Sequence, residues 1–389
     1  VSIPRNHLCR QTVKRGGDGM LSGITVVDFS HHLPGPICTM RLAELGATVL
    51  EVQPYPQDPS PFSSISDGPG RKTVASTLYS HRNQKRISLN LRTVEGRSLA
   101  FALAKEADVV VESYRPGVLR HLGLDYDRLW EVHPSVIFCS VTHYGQSGDL
   151  YQLGGSDLNI QAVSGFLSAV RDAQGRPVAG ELPLADFAVG VYASEQICAA
   201  LVQRERTGRG AYLDIASADL LSYWTGLHAL LAKGIREEEK TVVDSSRDFV
   251  AYQVYETAEG QYVALAAKEE KFWRNFCRAV GRADWETMHT ATIRGNHELY
   301  EELCELFLSR TQADWSELGA EVDCCLTAVE EWDHWSEHAY SRSREIADTL
   351  PEAWRQDHTH ECLKKKLEMT DASLRRLEEL GVIPVQLFE

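Results

Sequence analysis

Residues 21–52 confine the fold more than any other stretch. LSGITVVDFS is a β-rich apolar run closed by a turn, the pattern of a strand buried on both faces. HLPGPICTMRLAELG then supplies a Pro/Gly turn and a helix ending at Gly46, and residues 48–52 resume as a second strand. Strand, turn, helix, strand is a βαβ unit. It demands a parallel sheet and makes the turn after the first strand a place where ligands bind. No GxGxxG is present, so no dinucleotide is implied. A plain Pro/Gly loop entering a helix fits the same letters.

The pattern continues. Residues 94–107 alternate helically, 109–111 form a third buried strand ending in the loop Glu112–Arg115, 119–130 read as helix, and SVIFCSVTHYG is a fourth strand. Residues 156–170 are helix-like, and 214–233 read as a long apolar helix. GIREEEKTVVDSSRDF then shifts to charged, weakly patterned sequence, a linker. Residues 249–267 read as a hairpin turning at Glu259-Gly260, with helices at 269–281 and 297–309. The chain thus divides into a large α/β domain (20–226 with 336–389), a small α+β domain (227–335) and an N-terminal extension (1–19). Residues 57–77 are a Pro/Ser/Gly loop, HRNQKRISLNL is the densest basic cluster of the front half, and the tail is two helices.

The formal charge of −15 over 389 residues argues against nucleic acid or an anionic membrane as partner. Any anionic ligand therefore needs local cations. No run of 18 apolar residues occurs, so no membrane-spanning helix is expected. Nine cysteines without a CxxC suggest reduced thiols and a cytoplasmic location. Neither HExxH nor a tight Cys/His cluster is present, so no metal is expected.

One carboxylate stands apart. In GELPLADFAVGVYASEQICAALVQRERTGRG, a strand-like run at 181–184 leads to Asp186, and a helix follows with Val189, Ala193, Ile197, Ala200 and Leu201 on one face. Asp186 there is either an N-cap or an anion held at the positive end of a helix dipole, which would pull its pKa down.

LADF, the apolar helix and RERTGRGAYLDIASAD together resemble the class III CoA-transferase and α-methylacyl-CoA racemase family, over about residue 21 to the C-terminus. That resemblance implies a Rossmann-like large domain with a small α+β domain, in an interlocked homodimer. It implies acyl-CoA and carboxylic acid substrates, with coenzyme A as the acyl carrier. Asp186 matches the catalytic aspartate, and Glu269 in AAKEEKFW matches its glutamate partner in the racemase branch. GPICT resembles the G-P-x-C-T beside the pantetheine channel, with His32 and Leu33 as carrier contacts. Arg82, Lys85 and Arg86 match the family's basic motif, and Ser113, Tyr114 and Arg115 the V-E-x-[FY]-R-P-G motif, with Arg120 just beyond. The racemase G-H-D-x-N motif reads Gly155-Ser156-Asp157-Leu158-Asn159, so Ser156 stands where an imidazole is needed. A second base would have to be His143 or Asp157. Pro54 and His121 stand where the family often has arginine. Details such as ADF at 185–187 and Glu269 resemble the racemase branch, but the missing histidine favours a transferase, in which Asp186 as nucleophile needs no second base. A racemase or epimerase is the alternative, and a non-catalytic acyl-thioester-binding protein the third reading.

Overall fold

Apolar β-branched runs become strands buried on both faces. The computed structural model describes residues 19–55, 84–172, 174–239, 248–344 and 357–386. In chain order the first elements are β1 (Thr25–Asp28), α1 (Pro34–Glu44), β2 (Thr48–Pro54), β3 (Gln84–Leu89), α2 (Val94–Lys105), β4 (Val109–Glu112), α3 (Val118–Leu122), α4 (Tyr126–Val132) and β5 (Ile137–Thr142). There follow α5 (Asp157–Val163), α6 (Leu184–Thr207), β6 (Ala211–Ala216) and α7 (Ser217–Glu239). The six strands form one parallel sheet in the order β3-β2-β1-β4-β5-β6. This is the doubly wound order, whose topological switch point lies between β1 and β4 at their carboxyl ends.

Side chains alternate between the faces. Val27, Leu50, Ile87, Val110 and Phe138 point to one core with Leu103 of α2. Val26, Val49, Val109, Val111 and Ile137 point to the other, against Leu42 of α1 and Val189, Ala193 and Ile197 of α6. By length and hydropathy α6 could cross a bilayer, but half of its most apolar 18-residue window is buried in the protein. A core helix of a sheet protein has that character.

Several elements differ from the sequence pattern. Residues 84–89 form β3, whose charges suit the sheet edge. Residues 211–216 form β6 on the opposite edge, so the apolar helix begins only at Ser217. Residues 181–183 are not a strand: the chain bends there, and α6 starts after Pro183. Left-handed glycines split two expected helices, Gly123 (φ 70°) between α3 and α4 and Gly165 (φ 81°) after α5. Residues 1–18 of the expected 1–19 extension, the loop at 57–77 and linker residues 240–247 lie outside the described residues.

The chain divides into two units, one running to His228 and resuming at Pro351, the other Ala229–Leu350. In the second unit β7 (Tyr252–Glu256), β8 (Tyr262–Ala266) and β9 (Leu326–Ala328) form an antiparallel sheet beside α8 (Glu270–Ala279), α9 (His297–Leu308) and α10 (Gln312–Glu321). Trp273, Phe276, Phe307 and Trp315 are fully buried at its centre. The indole N–H groups of Trp273 and Trp315 donate to the carbonyls of Trp285 (2.7 Å) and Phe307 (2.9 Å), so burial strands neither donor. A short helix, α11 (Ala339–Ser343), follows. The chain then returns to the first unit as α12 (Thr359–Leu367) and α13 (Asp371–Glu379). The start of α12 covers the β3 edge: the Ser88 N–H donates to Thr359 Oγ1 at 2.8 Å.

Candidate active site

β1 delivers its last residue, Asp28, into the interior at 2% exposure. Its carboxylate accepts the Ser30 N–H at 2.7 Å and the Thr39 hydroxyl at 2.6 Å, tying the β1–α1 turn to the first turns of α1. Burial nonetheless pushes its pKa up to about 6. Gly35 permits this turn, because a Cβ there would stand 2.2 Å from Ser30 Cβ. His32 sits at φ 67°, a left-handed backbone that non-glycine residues seldom adopt. The neighbouring loop is fastened by Ser113, which accepts the His31 N–H (2.9 Å) and donates its hydroxyl to the His31 carbonyl (2.7 Å). The His31 ring packs edge-on to Tyr114 at 4.3 Å. Burial, with His32 adding to it, lowers His31 to about 4, so it is neutral at physiological pH.

These residues wall a cavity at the carboxyl ends of β1, β4 and β5. His31, His32, Ser113, Tyr114, Arg115 and His143 all line it. Four of the expected carrier contacts, His32, Ser113, Tyr114 and Arg115, are therefore brought together; Leu33 is the residue before α1. Of the other expected cations among the described residues, none lines the cavity. Lys85 and Arg86 lie on β3, two strands from β1, with Lys85 Nζ 2.9 Å from Glu361 and Arg86 Nε 3.5 Å from Glu51. Arg120 Nη2 lies 2.5 Å from Asp127 and lines an adjoining depression with Arg115. Arg82 lies outside the described residues.

Asp186 occupies the first turn of α6, behind an N-cap of Pro183, so it is not the cap that its residue type suggested. It is 8% exposed, and its Oδ1 is buried without a hydrogen-bond partner among the described residues. Its own N–H donates to Asp157 Oδ1 at 3.1 Å. Burial first, and the Asp157 charge second, raise its pKa to about 6. The downward pull expected from the helix dipole is thus overridden, because desolvation at a buried site outweighs a partial charge at the helix end. Asp157 opens α5 and also receives the Gln161 amide. Ser156, the N-cap of α5, directs its N–H (3.1 Å) and hydroxyl (3.0 Å) to Asn159 Oδ1. One turn beyond Asp186, Gly190 brings α6 against α1: a Cβ there would meet Ile37 Cβ at 2.6 Å and Pro34 O at 2.8 Å. Asp186 shares that helix face. Glu269, the residue before α8, belongs to the other unit.

Glu112, at the end of β4, is a buried acid whose environment the sequence did not reveal. The only local signal is a lone carboxylate closing an all-valine strand. It is 5% exposed and accepts the Tyr114 N–H at 2.8 Å, yet burial pushes its pKa up to about 7. An acid with a raised folded-state pKa stabilises the fold at pH below its unfolded value and loses that contribution as pH climbs through the folded value. Thermal stability is therefore expected to fall between about pH 4.5 and 7, by a Glu112 contribution of the order of 3 kcal/mol. Glu112→Gln should flatten the profile in scanning calorimetry. Parallel profiles for wild type and variant would contradict this.

The family model described as CoA-transferase family III matches residues 21–377. The chain belongs to that family. Among its members, human succinyl-CoA:glutarate CoA-transferase is 31% identical over 307 residues, covering 76% of this chain and 68% of the relative. Human α-methylacyl-CoA racemase is 29% identical over 330 residues, covering 83% and 81%. A crystal structure of a CaiB/BaiF family protein from Brucella suis superposes with a TM-score of 0.74 at 23% identity, over 92% of this chain and 99% of that one, which shows a common fold. As a member of CoA-transferase family III the chain is an enzyme, and coenzyme A is the substrate that defines the family. Among the described residues no group of three or more His, Cys, Asp or Glu is placed to hold a metal ion.

Proposed function

We propose that this enzyme moves coenzyme A from an acyl-CoA donor to a carboxylic acid acceptor through intermediates bonded to Asp186. The observation that carries this reading is the Asp186 carboxylate itself: buried, with an oxygen lacking any described partner, and with a pKa of about 6 that leaves it mostly ionised at pH 7. A buried carboxylate oxygen without a hydrogen bond is a stronger nucleophile than one in water. Its oxygen attacks the thioester carbon, and the C–S bond breaks with its electron pair going to sulfur. The thiolate then attacks the Asp186 acyl carbon of the anhydride, releasing the donor acid and leaving an Asp186 thioester. The acceptor carboxylate displaces the thiolate to form a second anhydride, and the thiolate attacks the acceptor's acyl carbon, restoring Asp186. No proton is consumed.

In this reading Asp157 holds the Asp186 N–H and, with Ser156 at the start of α5, positions the start of α6. His32, Leu33, Ser113, Tyr114 and Arg115 border the carrier arm, while Arg82, Lys85, Arg86 and Arg120 meet its phosphates. Phosphate must then displace Glu361 from Lys85 and Asp127 from Arg120. A second copy of the chain would cover Leu182, Leu184 and Phe187, which flank Asp186 at 76%, 43% and 39% exposure. Light scattering is expected to give a dimer mass.

The likeness to the racemase supports a second reading, in which Asp186 removes the α-proton of a thioester. Against it, the Ser156 hydroxyl donates to Asn159 and has no basic partner among the described residues. A panel of acyl-CoAs, beginning with succinyl-CoA, incubated with and without carboxylic acids such as glutarate and read by mass spectrometry, separates the two. Transfer is expected to require the acceptor acid. Deuterium uptake at the α-carbon without an acceptor would favour the racemase.

A further inference from the structure

His143 lies one residue beyond β5, between two parts of the site. One side of it lines the cavity with His31, His32, Tyr114 and Arg115. On the other, the backbone leading to Ser156 and Asp157 passes over its ring: a Cβ on Gly155 would stand 3.3 Å from His143 Cγ. Asp157 in turn holds the Asp186 N–H and is close enough for its charge to act on the His143 imidazole. The His143 carbonyl is anchored by the Ala218 N–H at 2.9 Å, while its ring nitrogens hydrogen-bond no other described residue. The ring is therefore held in place from the backbone and left open towards the cavity.

A thioester reaching from this cavity to Asp186 carries its sulfur one bond from the carbon under attack. The sulfur thus falls between the carrier arm and Asp186, which is where His143 lies. We propose that His143 is a catalytic hydrogen-bond donor to the coenzyme A sulfur, an inference that rests on the transferase reading. When an Asp186 oxygen bonds to the carbonyl carbon and the C–S bond breaks, the electron pair goes to sulfur. The imidazole N–H stabilises that thiolate without surrendering its proton, so the sulfur remains nucleophilic for its return attack. Burial and the neighbouring His32 hold His143 below the ordinary imidazole value, which keeps it a neutral donor and not an acid.

The test compares wild type with His143→Phe, which lacks a donor, and His143→Gln, which keeps one. Each is assayed with succinyl-CoA and glutarate and with the best pair from the panel. The readouts are kcat, KM for acyl-CoA, and free thiol released per acyl group transferred. His143→Phe is expected to lose about 10²-fold in kcat, the scale of a removed donor at a developing anion. Its KM should change little and its thiol release should rise, while His143→Gln recovers much of the loss. If His143→Phe does not fold, His143→Ala with added imidazole replaces it, and rescue by imidazole is the expected result. Unchanged kcat and thiol release in His143→Phe, a His143→Gln as slow as the Phe variant, or failure of imidazole to rescue would each overturn the proposal. A wild-type enzyme that forms no Asp186 adduct defeats the transferase reading. An adduct-forming wild type with an indifferent His143 defeats this inference alone.

Discussion

Asp186→Asn is expected to be both more stable and nearly inactive. The asparagine keeps the shape of the side chain but cannot attack an acyl carbon, so kcat for transfer should fall by about 10³-fold or more, the loss expected when a covalent nucleophile is removed. The stability gain follows from burial. In the wild type the carboxyl is raised from 3.8 to about 6 by desolvation and by Asp157. Its ionised form is therefore unfavourable in the fold, and stability falls as pH rises through about 6. The uncharged amide escapes this, so at pH 8 the variant should be more stable by the order of 1 to 3 kcal/mol, with the difference vanishing below about pH 4. Calorimetry across pH, beside steady-state transfer assays, reads both effects. An inactive variant with no pH-dependent gain would mean that Asp186 is better solvated than its surroundings indicate.

Gly190→Ala should produce a second large effect, through packing. The added Cβ would stand 2.6 Å from Ile37 and 2.8 Å from the Pro34 carbonyl, distances at which backbone must move. Overpacking of this kind costs about 1 to 3 kcal/mol. Because α6 carries Asp186 one turn earlier and α1 begins at the His32–Pro34 turn, the displacement falls on the reacting geometry. A shift of about 1 Å there can cost about 10²-fold in rate. Gly226→Ala, in α7 with open space around the new methyl, is the control and should be neutral or stabilising by up to about 1 kcal/mol. Equal activity of the two variants would contradict the close α1–α6 packing.

How much of this was legible beforehand depended on where each residue sits. β1, β2, β4 and β5 announce themselves because strands covered on both faces must be continuously apolar. β3 and β6 do not, because edge strands carry charge: Lys85 and Arg86 read as a basic cluster and not as a strand, and Ile215-Ala216 merged with the helix beyond. Asp186 could be located from its place before an amphipathic helix and from family resemblance. Its pKa could not, since Asp157 is 29 residues away in sequence and the burial depends on how α1, α5 and α6 meet. The same holds for Lys85, whose partner Glu361 lies 276 residues along the chain. Non-local pairing of this kind leaves no local pattern to read.

The most direct test of a nucleophilic Asp186 is to incubate the enzyme with an acyl-CoA donor, trap with borohydride or hydroxylamine, digest, and weigh the peptide containing residues 184–190. The expected result is a modification confined to Asp186, dependent on the donor and absent from Asp186→Asn. Efficient transfer with that peptide unmodified, or modified at another residue, would contradict the account.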